Sequence, residues 1–233
     1  MFNHIPLLSV LIWLPILGAV PVAMLSGTEQ VPYSRYLAFA IALFSMLLCI
    51  PLYTHFDLTT SNLQFVEQAS WIPSLKINYQ LGIDGISMPL IALSCFTTLL
   101  VVMASWSMVH EKVAQYLATF LVMQGAVVGV FAASDAMLFY FFWEAMLIPM
   151  YLSIGVWGME NRSYAAIKFF IYTFLGSALL LVALLYLRMH TERFDITSFY
   201  HIRLLMPAQI AIFGAFFLAF AIKVPMWPFH TWL

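Results

Sequence analysis

Apolar residues run along this chain in seven stretches. Each approaches or exceeds the ~20 residues that a helix needs to cross a bilayer. They fall near 4–26, 36–54, 83–106, 114–132, 135–157, 164–187 and 207–229. The pattern predicts an all-α, polytopic helix bundle of about seven transmembrane helices, forming a single transmembrane domain over residues 1–233. The first stretch carries no lysine or arginine before Arg35. A signal peptide needs a basic start, so this stretch reads as a first spanning helix. The longest polar break, His55–Gly82, alternates apolar and polar positions in short runs around Pro73. That alternation favours a small hairpin or a segment lying at the membrane surface. Asp84 and Ser87 follow in GIDGIS, placed to cap the first turn of the third span.

Composition removes several classes of function. The chain is 64% hydrophobic and 8% charged, with mean hydropathy +0.97, whereas a soluble domain carries about 25% charge. A net charge of −1 makes no case for a nucleic-acid partner or a polybasic lipid anchor. Cys49 and Cys95 sit singly inside apolar segments, so neither a disulfide framework nor a metal site is read from them. They read as small buried hydrophobes. No GxGxxG or GxxxxGK[ST] loop occurs, which gives no nucleotide site. His4, His55, His110, His190 and His201 fall at span ends or in connections, leaving His230 as the one histidine placed for depth. A transmembrane haem is not indicated, and no cofactor is expected on this chain.

Charge inside the spans carries the chemistry. Glu144 lies near the middle of the fifth stretch, DAMLFYFFWEAMLIPMYLSIGVW, where an ionised side chain costs roughly 2.5–3.5 kcal/mol on insertion scales. Tyr140 and Tyr151 stand at i−4 and i+7 on the same helical face. Pro149 leaves the Ala145 carbonyl without its helical amide, so a kink is predicted just beyond the acid. Lys223, in the seventh stretch, precedes Pro225 and Pro228, so a regular helix should end near Lys223 or Val224. Two readings stand for that lysine: it snorkels at the far membrane surface, or it sits at a helix break within the membrane. Lys168, about one turn inside the sixth span, either snorkels to the interface or serves as a partner for a buried charge. Gly125 and Gly129 at i and i+4 support close packing of the fourth span against a neighbour. Orientation is not settled by charge, because four basic residues fall on each side.

The segments WIPSLKINYQLGIDGIS, FYFFWEAMLIPMYLSIGVWG, NRSYAAIKFFIYTFLGS and AFAIKVPMWPFHTWL resemble the subunit M family of bacterial proton-pumping NADH:quinone oxidoreductase, respiratory complex I. The likeness runs over essentially the whole chain; the sister antiporter-like subunits L and N, and subunits of multisubunit cation/proton antiporters, are similar more loosely. The resemblance implies an antiporter-like fold, with the first inverted repeat followed by a broken seventh helix. It implies that Glu144 pairs with Lys223 in the uptake half of a proton path. It implies His230 and, more weakly, Lys168 as further members of that path. FMN, iron–sulfur clusters and quinone are implied in other subunits of the complex, with NADH not bound here. Subunits L and N and membrane lipids are the implied partners, and the bacterial inner membrane is the implied location, with the N-terminus facing the periplasm. Members of the family continue past the HTWL motif into a second inverted repeat, so this sequence is expected to be an N-terminal half. Two alternatives remain on the residues alone: a cation/proton antiporter subunit, and a scaffold whose polar groups only join helices.

Overall fold

The computed structural model describes residues 6–191 and 193–233; His4 and Glu192 lie outside them. Among the described residues, seven spans are long and apolar enough to cross a membrane. They are α1 (Leu7–Met24), α2 (Val31–Thr54), α3 (Ser87–Met108), α4 (Val113–Ala132), the joined pair α5 (Ala136–Ala145) and α6 (Leu147–Trp157), α7 (Arg162–Thr191), and α9 (Met206–Lys223). The connection before α9 holds a one-turn α8 (Ile196–Phe199). A two-stranded hairpin, β1 (Gln64–Ile72) and β2 (Ile77–Ile83), occupies the break between α2 and α3. Of the two readings of that break, the hairpin is the one found. Pro73–Leu75 forms its turn, and Lys76 closes it in the left-handed region at φ 56°. Large apolar side chains such as Leu17, Phe44, Ile50, Leu175 and Phe213 are exposed, as suits surfaces that face lipid tails.

The chain divides into two compact units. The first joins α1–α4 to the hairpin base. Its core gathers Ala19, Val22, Ala38, Ala42, Val102, Leu117 and Leu121. α1 packs closely on α4, and Gly125 is the reason: a Cβ there would lie 2.4 Å from the Ile12 carbonyl oxygen. The start of α1 has no side-chain cap of its own. The hairpin supplies one, since Glu67 accepts from the Leu8 and Ser9 amides at 2.8 and 3.0 Å and from the Ser9 hydroxyl. Tyr79 completes the cluster, with its hydroxyl 3.0 Å from Ser9 Oγ and accepting from Trp13 Nε1 at 3.1 Å. A carboxylate here meets both the unpaired amides and the positive end of the helix dipole. Cys49 and Cys95 are free and buried, and Cys95 Sγ accepts from Gln124 Nε2 at 3.4 Å.

The second unit comprises the hairpin tip, Ser70–Asn78, and Asp135–Leu233. Asp135 fixes its entrance. The carboxylate accepts from the Met137 and Leu138 amides at 2.9 and 3.1 Å, capping α5, and from the Asn78 amide at 3.1 Å. The Ala136 amide donates to the Phe194 carbonyl at 2.7 Å. The carboxylate thus ties the hairpin tip to the start of α5, and the Ala136 amide joins the polar connection to the same corner. Ile77, Ala136, Leu180, Leu184, Phe194 and Ala219 pack beneath it.

Two interruptions follow the prolines. The fifth span divides at Met146, three residues before Pro149, where the kink was expected. The seventh apolar stretch, read as running to 229, gives a helix that ends at Lys223. Pro225 has no amide to continue the ladder and disfavours helix at Val224 before it. Residues 224–233 turn irregularly instead.

Candidate functional site

Glu144 lies nine residues beyond Asp135, about 13.5 Å along the α5 axis at 1.5 Å per residue. The carboxylate is half-buried, with the hydroxyls of Tyr140 (one turn earlier) and Ser177 (on α7) beside it. Lys223, the last residue of α9, is near enough for its charge to act on Glu144. The two do not touch: Glu144 Oε1 and Lys223 Nζ are each buried, and neither atom makes a hydrogen bond. The ammonium stands 5.0 Å from the centroid of the Trp143 ring. The acid and the base therefore lie within electrostatic reach of one another without forming a hydrogen-bonded pair.

The helix break holds Lys223 in place. Val224 donates its amide to Phe220 at 2.8 Å, and Met226 reaches back to Ala221 at 2.8 Å. The Ile222 carbonyl accepts from the indole of Trp232 at 2.7 Å. Lys168 donates from its ammonium to the Thr231 carbonyl. That contact ties Lys168 to the irregular tail after the break. Gly176 lets α7 approach α9 closely, because a Cβ there would meet Ile222 Cδ1 at 2.8 Å.

The sequence-predicted residues fall as follows. Glu144 and Lys223 are brought together, and Tyr140 stands beside the acid. Tyr151 lies beyond the Met146 break, exposed, with its ring 5.8 Å from that of Phe170. His230 lies in the tail after the break and is exposed. Ser177 and Trp143 were not singled out from sequence. A serine among leucines on a different helix gives no periodic signal, and a tryptophan beside Glu144 reads as apolar packing. Among the described residues no group of three or more histidine, cysteine or acidic side chains is gathered for a metal ion.

Seven membrane-length spans, a broken helix ending in a lysine, and an acid facing it define a polytopic, α-helical membrane protein of antiporter-like type. A family model described as "NADH-ubiquinone oxidoreductase chain 4, amino terminus" matches residues 10–131. A second, "NADH:quinone oxidoreductase/Mrp antiporter, TM", matches residues 133–233. The chain belongs to the NADH-quinone oxidoreductase subunit M (chain 4) family. It is 36% identical over 234 residues to the NADH-quinone oxidoreductase subunit M of Rickettsia prowazekii (strain Madrid E), covering 99% of this chain and 48% of that one. With subunit M of Rhodobacter capsulatus it shares 40% identity over 243 residues, 97% of this chain and 47% of the relative. Its fold is similar to a chain in the structure of respiratory complex I from Thermus thermophilus with bound NADH, at TM-score 0.84 and 29% identity, over 97% of this chain and 46% of that one. The chain spans about half the length of the curated relatives it matches.

Proposed function

We propose that this chain is the N-terminal part of a proton-translocating subunit M in a bacterial NADH:quinone oxidoreductase. In this reading it couples quinone reduction elsewhere in the complex to proton transfer through Glu144 and Lys223. The observation that carries the reading is an acid and a base, each with a buried polar atom that makes no hydrogen bond, on two helices that are both interrupted by proline. A contact between them favours both charged forms; separating them lets the carboxylate take up a proton and the ammonium give one up. A signal that opens and closes the contact moves protons in steps, with no redox chemistry on this chain. Lys168 and His230 are weaker members of the path. Lys168 is tied to the tail that carries His230, so displacement at either is felt at the break.

FMN, the iron–sulfur clusters and quinone belong, in this proposal, to other subunits. Antiporter-like subunits L and N and membrane lipids are the neighbours, and the bacterial inner membrane is the location. The second reading, a subunit of a multisubunit cation/proton antiporter, is supported by the family model that joins both classes in one description.

The deciding variant is Glu144→Gln in the full-length subunit within the intact complex. NADH-driven electron transfer and vesicle acidification are measured on the same membranes. Gln keeps the shape and the hydrogen bonding but holds no transferable proton. An assembled complex whose acidification collapses supports the proposal. Both rates near wild type, in an assembled complex, would reduce Glu144 to a structural role. Acidification that responds to a sodium gradient in the absence of NADH would favour the antiporter reading.

A further inference from the structure

The ammonium of Lys223 makes no hydrogen bond, and it stands over an indole face. Lys223 Nζ lies 5.0 Å from the Trp143 centroid, inside the ~6 Å at which a ring quadrupole holds a cation. That ring is not free to turn away. Phe139, one turn before it on α5, lies 5.6 Å from it, and Phe220, one turn before Lys223 on α9, meets it edge-on at 5.5 Å. Each of the two helices thus contributes one aromatic that fixes the indole. Lys223 itself is anchored by the capped break at Val224 and Ile222.

From this geometry we infer that Trp143 is a positioning residue: its indole face is a second seat for the Lys223 ammonium and competes with the neighbouring Glu144 carboxylate. The inference rests on the Glu144–Lys223 reading above. Trp143 and Glu144 are adjacent in sequence, so their side chains leave α5 about 100° apart. A small swing of a flexible lysine stem carries the ammonium from one to the other. A buried ammonium leaving a carboxylate needs somewhere to go, because an unpaired buried charge is costly. The indole lowers that cost without carrying a charge. It therefore makes the open state of the acid–base pair accessible, and in that state Glu144 exchanges its proton. With the indole weakened, the contact pair dominates and turnover slows.

Ring electrostatics can be changed without changing ring shape. Mono-, di- and tetrafluorinated tryptophan are placed at position 143 of the full-length subunit in the assembled complex. Acidification and NADH-driven electron transfer are then followed in the same vesicles, with Trp143→Phe as a conservative partial substitute. The expected result is a graded fall in acidification with each fluorination, roughly tenfold at the tetrafluoro step. Trp143→Phe should lie between wild type and that limit, with assembly unchanged throughout. Core packing alone would not follow fluorine number. A flat fluorination series, in membranes where Glu144→Gln does abolish acidification, overturns this inference and leaves the Glu144–Lys223 proposal standing. Acidification untouched by Glu144→Gln overturns both.

Discussion

The indole Nε1 of Trp232 donates a 2.7 Å hydrogen bond to the carbonyl of Ile222, ten residues earlier and one residue before Lys223. That carbonyl belongs to the last turn of α9, where Pro225 and the irregular tail supply no regular amide partner. An orphaned carbonyl at membrane depth is costly, so the indole serves to cap the end of the helix. Trp232→Phe keeps a ring against Phe169, now 5.1 Å away, but removes the donor. Losing one buried partner costs about 1–3 kcal/mol. Amide exchange at Val224 and Met226 in the assembled complex should speed by roughly tenfold or more. Unchanged exchange there would show that the break is held by other contacts.

Gly176 sets how closely α7 can lie against the same turn. A Cβ at this position would meet Ile222 Cδ1 at 2.8 Å and Ile222 Cβ at 3.3 Å. The first of these atoms is the flexible end of a side chain; the second is close to the backbone. Gly176→Ala should therefore be tolerated with a small loss of stability, whereas Gly176→Leu should push α9 away, at the ~1–3 kcal/mol typical of overpacking. Ser177 and Lys223 would separate together. Acidification should fall more steeply than assembly in the leucine variant, as read by activity per assembled complex on native gels.

The seven spans, the kink near Pro149 and the end of helix at Lys223 were all legible, because prolines and a 20-residue apolar length act locally. Glu144 and Lys223 stood out for the same reason: each is a charge in an apolar run. What remained hidden depends on partners far along the chain. Ser177 is 33 residues from Glu144, and its hydroxyl also donates to the Phe174 carbonyl, the ordinary habit of a helical serine. Trp143 has no periodic relation to Lys223. Glu67 reads as one polar position in an alternating strand, yet it caps a helix 58 residues earlier. Tyr151 failed the other way: a straight helix would carry it onto the Glu144 face, and the Met146 break interrupts that helix.

Glycines divide sharply by what surrounds them, which gives a stability test independent of the proposed proton path. A Cβ on Gly125 would meet backbone, the Ile12 carbonyl oxygen at 2.4 Å, with Ile16 Cγ1 at 2.5 Å. Backbone cannot swing aside, so Gly125→Ala should force α1 and α4 apart, at about 1–3 kcal/mol. Gly214, inside α9, has nothing within 4 Å of a Cβ. Gly214→Ala should instead raise stability by about 0.8–1 kcal/mol through helix propensity. Thermal unfolding of the two variants in detergent should therefore shift in opposite directions. Shifts of the same sign would mean that the α1–α4 approach is looser than 2.4 Å implies.

Asp84 offers the clearest pH dependence, because it lies outside the spans and its partners are plain. Its carboxylate accepts from the Ser87 amide at 2.7 Å, the Ile86 amide at 3.1 Å and the Ser87 hydroxyl at 2.9 Å. The Ser87 backbone donor, foremost among these, holds the Asp84 carboxyl below its ordinary range. A carboxyl depressed in the folded state contributes stability that is complete above its unfolded value of about 3.9. That contribution disappears as pH falls through the lower, folded value. The group is largely exposed, so the size expected is that of a helix cap, about 1 kcal/mol, rather than that of a buried ion. Asp84→Ala should thus lower the stability of the first turn of α3 at pH 7. The gap between variant and wild type should narrow as pH drops below about 4. Thermal unfolding against pH in detergent reads this directly, and a gap that stays constant down to low pH would show that the Asp84 charge contributes nothing to the cap.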